Sequence, residues 1–526
     1  MNALVIAATT PLKIHVEYGS IVPELLLAGG AMLLLLASSL VRERLRTSVA
    51  AFISIALALG ALVSSYWVWR DLDKTGAYST FVGAIANDKF SLFFITVLTA
   101  ALVLSILVST DWLEAHGHRG VEYFVLMLLS TAGAVLMAAG NDLIVIFLGL
   151  EILSLALYVL VGFDRNSSVS REAAMKYFIL GGFSSAIFLY GIALTYGATG
   201  STNLTAISRF LATNTLLDNG LLLAGVALLA VGFAFKIGAA PFHQWGPDVY
   251  QGAPTPVVGF MAAAAKAGAF AAFLRVFAGT LSSLKLDWQP LILGLAIITL
   301  LVGSIVACVQ QNVKRMLAYS SISHAGFILL GLHSGDSYGV GGSLYYLLAY
   351  MFMVVGSFAV VTLVGGQSQP RQGLEAFRGL SKQNPGLALA FTVLLLAQAG
   401  MPLTSGFLAK FYVVSALVAN HSYEMAVFAM LTAAIAMFFY LRIVFVMFTS
   451  SDNEGVPRVG GISTNGVSAS RPIALPFATA LALGFSLAFT IGMGVLPSGV
   501  HTLDTVEFAR KAANDLFVSA SISNGQ

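Results

Sequence analysis

Cysteine is almost missing from this chain. Cys308 is the single one in 526 residues. That excludes a disulfide framework, a cysteine-ligated iron–sulfur cluster and a CxxCH haem attachment. Charge is scarce too. Asp, Glu, Lys and Arg make up 10% of the residues, against about 25% in ordinary soluble domains. Neither GxGxxG nor GxxxxGK(S/T) occurs, so no nucleotide-cradling loop is visible. A net charge of +3 is too small to argue for nucleic acid. The chain reads as having no means of its own to bind a nucleotide or carry electrons.

Apolar length is what it has. Hydrophobic residues are 58% of the whole. Runs of about 20 residues recur, each long enough to span a hydrocarbon core. About fourteen spans are expected, at roughly 21–40, 48–69, 90–109, 121–139, 142–163, 174–198, 219–240, 254–279, 289–311, 317–333, 340–365, 385–418, 424–449 and 472–497. This predicts an all-α polytopic membrane protein with no room for a soluble domain. The first span lacks a convincing cleavage site and is expected to be retained. Residues 199–218 read as a surface loop with a short helix, 450–471 as a Gly/Ser/Asn-rich loop, and the tail after 498 as an interfacial amphipathic helix.

Loop cations orient the chain. With the N-terminal side called A, about 14 Lys and Arg fall in side B loops against 8 on side A. Side B is therefore expected to be cytoplasmic, with both termini outside. The side B set includes Lys314 and Arg315. Lys236, Lys266, Arg275, Lys410 and Arg442 remain inside spans, and Glu151 is the acid nearest a span centre. An ionisable residue at that depth is a functional-site hypothesis by default.

Two spans carry helix breakers. In LLAVGFAFKIGAAPFHQWGPDVYQGAPTPV, Gly238 and Pro241 follow Lys236. In LLLAQAGMPLTSGFLAKFYVV, Gly400, Pro402 and Gly406 precede Lys410. A broken helix at bilayer depth is tolerated only where it is buried in protein or lines a wet cavity. Glu151 precedes Lys236 by 85 residues and His324 precedes Lys410 by 86, so an offset of about 173 relates the two halves. Paired interruptions at corresponding places point to inverted repeats.

Each residue has two readings. Glu151 is either a neutral, hydrogen-bonded acid or the partner of Lys236 across adjacent helices. Lys236 either caps open carbonyls or switches its charge, since a desolvated lysine exchanges its proton more readily than an exposed one. Lys266, set among MAAAA and AGAFAA, is either structural or a proton site with room for water. Lys410 either snorkels or carries protons. His243 and His324 are either hydrogen-bonded structural groups or relays. They show no metal-ligand spacing. Arg275 and Arg442 read as snorkelling or packing residues. Asp248 reads as a cap of the second half-helix. His116, His118 and His333 lie in or beside loops and say little. A Glu/Lys/His line suits proton transfer better than binding of a bare metal ion.

KIGAAPFHQWGPDVYQGAPTPV, LAYSSISHAGFILLGL and GMPLTSGFLAKFYV together resemble the antiporter-like membrane subunits of respiratory complex I and their Mrp-antiporter and hydrogenase relatives. PDVYQGAPTPV is most similar to the subunit N type. Lys410 stands where M-like subunits usually place glutamate, and the chain is short for an L-like subunit. The resemblance implies about 14 transmembrane helices, with inverted five-helix bundles in spans 4–8 and 9–13 and broken helices 7 and 12. The implied divisions are 1–120, 121–280, 281–450 and 451–526. It implies a midplane axis in which Glu151 senses a neighbouring subunit, Lys236 switches, Lys266 connects and Lys410 terminates, with His243 and His324 as links. It implies a proton-translocating subunit of a bacterial plasma-membrane NADH:quinone oxidoreductase, beside M-like, K-like and J-like subunits and lipid. FMN, iron–sulfur clusters, NADH and quinone are then expected in other subunits, with no cofactor, metal or nucleic acid here. The alternatives are a subunit of a Mrp-type cation/proton antiporter or membrane-bound hydrogenase, and a non-pumping scaffold.

Overall fold

A computed structural model describes residues 17–40, 45–118, 120–214, 219–366, 372–449, 475–495 and 505–522. The loop 450–471, residues 215–218, and the cations Lys13, Arg42, Arg44, Arg119, Arg371, Arg458 and Arg471 lie outside them.

The described chain is almost wholly helical. Its first half runs α1 (Val22–Leu40), α2 (Thr47–Thr75), α3 (Lys89–Ala115), α4 (Val121–Ala139), α5 (Leu143–Val161), α6 (Ser168–Thr199), α7 (Leu204–Thr213), α8 (Gly220–Ile237) and α9 (Trp245–Gly252). A continuous rod, Thr255–Thr280, follows. It comprises α10 (Thr255–Phe260), a π-helical turn at Met261–Ala265, α11 (Lys266–Leu274) and a second π-helical turn at Arg275–Thr280. Then come α12 (Lys285–Val309), α13 (Val313–Ser334), α14 (Ser337–Gly365), α15 (Leu380–Gln383), α16 (Pro385–Ala399), α17 (Ser405–Ala419), α18 (Tyr423–Phe448), α19 (Phe477–Val495) and α20 (Thr505–Ile522).

Thirteen of these segments are long and apolar enough to cross a membrane. The stretch expected as a single span at 385–418 is two shorter apolar helices, α16 and α17. Both expected breaks are present. Gly238 (φ 74°) ends α8 and Gly400 (φ 93°) ends α16, each in the left-handed conformation that closes a helix.

Small residues let the helices approach. A Cβ on Gly133 of α4 would meet the Gly149 carbonyl oxygen of α5 at 2.6 Å. One on Gly303 of α12 would run into the Ser323 backbone nitrogen of α13. Backbone-to-backbone contact of this kind replaces the hydrophobic drive that lipid removes. Apart from Lys266 and Arg275, the rod Thr255–Thr280 is apolar on every face and wholly buried, as a helix inside a bundle is. It packs against α3, α4, α8 and α14.

The structure departs from the sequence expectations in two places. The strands β1 (Tyr78–Thr80) and β2 (Ile85–Asn87) form a small antiparallel hairpin on side A. Its turn holds Phe81 and Val82 at φ 53° and 56°, with no Asn-Gly to signal it. The tail helix α20 lays Ala509, Ala512, Ala513 and Leu516 against α3 and α14. Its apolar stripe lies against protein, not along a lipid interface as expected.

A buried ion pair anchors the rod. Arg275 donates to both carboxylate oxygens of Asp88, at 2.7 and 2.9 Å, and through Nε to the Ala138 carbonyl at 2.8 Å. Asp88 also caps α3 in a reciprocal box with Ser91. Burial pushes the Asp88 carboxyl up, but Arg275 and Ser91 outweigh it and hold it below the usual carboxylate range. Replacing Arg275 with methionine strands a buried carboxylate, at a cost of about 3–5 kcal/mol. The purified complex should denature at lower temperature for Arg275→Met, and Asp88→Leu added to it should restore much of the loss. Wild-type denaturation of the single variant would mean that the pair contributes nothing.

Candidate functional site

Among the described residues, four lysines are buried in the helical bundle. Lys236, Lys266, Lys314 and Lys410 are 6%, 5%, 1% and 7% exposed. Snorkelling to the surface is thereby ruled out for Lys236 and Lys410.

Lys236 sits in the last turn of α8, two residues before Gly238. Its Nζ donates to Ser154 Oγ at 2.7 Å and to Tyr177 OH at 3.5 Å. Ser154 in turn donates to the Leu150 carbonyl. The Phe235 carbonyl accepts from Trp245 Nε1 at 2.9 Å and from the Gly238 N–H at 3.1 Å, so the first break is closed without the lysine.

A cavity of about 20 Å³ separates Lys236 from Lys266, lined also by Tyr177, Trp245, Tyr250 and Ser321. That is room for roughly one water. Lys266 begins α11 directly after a π-helical turn, a distortion frequent at functional sites. Its Nζ donates to both the carbonyl and the hydroxyl of Ser321 on α13. Tyr250 OH meets the same hydroxyl at 3.4 Å.

From Lys266 the polar groups continue into the second half. Its ammonium stands 5.6 Å from the centre of the Tyr350 ring, which lies 4.7 Å from His324. His324 Nδ1 meets Tyr346 OH at 2.6 Å and Nε2 meets Tyr440 OH at 3.1 Å. Tyr440 shares a hydrogen bond with Ser320, whose hydroxyl donates to Gln398 Oε1 at 3.4 Å. Gln398 donates to Ser357 at 2.7 Å. Next to Gln398, the Ala399 carbonyl accepts from Lys410 Nζ at 2.7 Å. A polar line thus joins both helix breaks.

The expected residues do not all join it alike. Lys236, Lys266, His324 and Lys410 are brought together. Glu151 makes no ion pair with Lys236. The lysine reaches Ser154, one turn further along α5, and Glu151 Oε1 is buried without a partner. Glu151 is part-buried and borders the outward face of Leu148, Ile152 and Leu155. His243 stands aside, its ring 6.3 Å from Tyr319 and its Nδ1 buried without a hydrogen bond.

Two other sequence readings are corrected and one is narrowed. Of its two readings Arg275 takes packing and not snorkelling; it is 4% exposed and paired with Asp88. Asp88 had been missed, although D-x-x-S before an apolar run is the mark of a capped helix start. Asp248 does not cap α9; it accepts from Arg315 at 2.6 Å and Lys176 at 3.0 Å. Lys314 is no loop cation. It lies in the first turn of α13 and donates to the Ala253 carbonyl at 2.6 Å. Its signal was available: Lys314, Ala318, Ser321 and His324 share one helical stripe. Arg442 does pack, donating to the Cys308 and Gln310 carbonyls at 3.0 and 3.1 Å. No cluster of three His, Cys, Asp or Glu fit for a metal occurs among the described residues.

Residues 140–436 match the family model of NADH:quinone oxidoreductase and Mrp antiporter transmembrane subunits. NADH-quinone oxidoreductase subunit N of Trichlorobacter lovleyi is 39% identical, over 94% of this chain and 96% of its own length. A chain of respiratory complex I from Thermus thermophilus, solved with bound aureothin, superposes with a TM-score of 0.73 at 32% identity, covering 91% of this chain and 98% of that one. A chain of the Mrp complex from Dietzia shares the fold, with a TM-score of 0.81 at 22% identity over 97% and 100%. By motif, sequence and fold, this chain belongs to the NADH:quinone oxidoreductase and Mrp antiporter family of membrane subunits, among its subunit N members.

Proposed function

We propose that this chain is a proton-translocating subunit in the membrane arm of a bacterial NADH:quinone oxidoreductase. The polar line from Lys236 through Lys266 and His324 to Lys410 is the observation that carries this reading. Buried ammonium groups separated by hydroxyls, an imidazole and water-sized space suit stepwise proton transfer. The chain's whole-length likeness to subunit N relatives supports the oxidoreductase over a stand-alone antiporter.

In this reading Lys236 is the switch. Its ammonium holds only hydroxyl partners, while Glu151 lies one turn away along α5. A charge arriving beside Glu151 from a neighbouring subunit alters the field at Lys236. Protonation then passes to Lys266 through the intervening cavity and onward through Ser321 and His324. His243 is an auxiliary relay at the first break. Moving one charge against the membrane potential costs about 2.3 kcal/mol per 100 mV. The chemistry that supplies it belongs to FMN, iron–sulfur clusters, NADH and quinone in partner subunits. M-like, K-like and J-like subunits are the proposed membrane neighbours, in the plasma membrane, with both termini outside the cytoplasm.

Membrane vesicles carrying assembled Lys236→Met complex should lose both quinone reduction and the accompanying pH gradient, by about tenfold or more. NADH oxidation by an artificial acceptor should survive. Wild-type values for both, with full assembly, would make the lysine structural and refute the switch.

A second outcome concerns the far half. Tyr440→Phe removes the hydroxyl between His324 and Ser320, and is expected to slow proton pumping several-fold, by about 1 kcal/mol or more in barrier. Tyr319→Phe, outside the line, should pump at the wild-type rate. Equal rates for the two variants would break the line at His324.

A further inference from the structure

Lys314 is buried, charged and so far without a role. Its ammonium has three donors, and its one hydrogen bond goes to the Ala253 carbonyl at the end of α9. It also lines a cavity of about 440 Å³. Trp112, His116, Asp164, Gln251 and Thr255 line the same space. These come from the side B ends of α3, α5, α9 and the rod. We propose that Lys314 is a proton-carrying residue that takes protons from this side B cavity and delivers them to Lys266. The inference rests on the proton-translocation reading above.

Two tracks lead inward from Lys314. On α13, Ala318 and Ser321 follow it on one face, and Ser321 is the residue that Lys266 grips. Seven residues of helix span roughly 10 Å. On α9, Tyr250 lies one turn before Ala253 and meets the Ser321 hydroxyl. Ala318, Tyr250 and Ser321 all line the small cavity beside Lys266. The gap is therefore bordered by one small side chain and two hydroxyls, with room beside Lys266 for roughly one water.

The residue type argues against capping alone. Arg275 caps the end of α4 and Arg442 the end of α12. Arginine performs that task without ever releasing a proton. The fully buried caps that are lysines instead are Lys314 and Lys410. In the proposed step an N–H bond of the Lys314 ammonium breaks and its proton passes through water to the neutral amine of Lys266. Lys314 then regains a proton from water in the side B cavity.

The test uses assembled complex in vesicles of known sidedness, with Lys314→Met, Lys314→Arg and Lys266→Met. Arginine keeps the charge and the bond to Ala253 but cannot give up its proton. Both Lys314 variants should pump about tenfold slower or worse. Wild-type pumping by Lys314→Arg would overturn the proposal and leave a cap. Wild-type pumping by Lys266→Met would instead overturn the underlying translocation reading. The cavity is tested separately, with Lys314 intact, in a Thr255→Cys, Cys308→Ser protein. A membrane-impermeant cationic methanethiosulfonate should inhibit pumping from side B and not from side A. Absence of reaction from side B would sink the proposal even if the Lys314 variants failed to assemble.

Discussion

The carbonyls at a helix's last turn have no partner within their own helix, and the need to satisfy them arranges many of the inner cations of this protein. Arg275 serves the end of α4, Lys314 the end of α9, Arg442 the end of α12, Lys285 the end of α13 and Lys410 the end of α16. In each case a cation from one helix meets the negative end of another, where the helix dipole favours it. The bond therefore offsets desolvation of the ammonium and of the carbonyl at once. A charge that would be costly alone becomes part of the packing.

Against that pattern, Lys236 and Lys266 are exceptions. The break after α8 is closed by Trp245, so Lys236 keeps an ammonium bound only to hydroxyls. Lys266 reaches into the middle of α13, at Ser321, and not to an end. At the second break the lysine itself does the closing. Lys236 lies two residues before its glycine and Lys410 ten residues after its own. The two breaks are alike in backbone and unlike in what holds them. Lys236 can change partners without opening a helix end, whereas Lys410 cannot.

Much of this was legible in the sequence. Apolar length gave the spans, because a bilayer sets the same length for each. Gly and Pro gave the breaks, because left-handed backbone and missing donors leave few alternatives. Lys266, set among alanines, stood out for want of any polar neighbour. What stayed hidden depended on distance along the chain. Asp88 and Arg275 are 187 residues apart, and nothing local marks them as a pair. Tyr177, Tyr250, Tyr346 and Tyr440 lie among apolar residues in the sequence, yet their hydroxyls meet Lys236, Ser321 and His324. Lys314 was assigned to a loop because two residues decide whether a cation precedes a helix or opens it. Helix boundaries are where sequence patterns are least sharp.

The two ends of the rod Thr255–Thr280 now differ in a chemically specific way. The cavity at its side A end, about 560 Å³, is floored by Asp88 and Arg275. That floor is an ion pair between a guanidinium that does not titrate and a carboxylate held ionised by it. The cavity at the side B end is floored by a lysine. On the reading proposed above, the lysine floor exchanges protons and the ion-paired floor does not. Water at both ends would otherwise make the midplane lysines a leak, since Lys266 lies between the two. The fixed pair on side A closes that route without needing a moving part. In the translocation reading proposed above, proton release proceeds laterally, through His324 toward Lys410, where the ammonium leaves the Ala399 carbonyl before it passes its proton on.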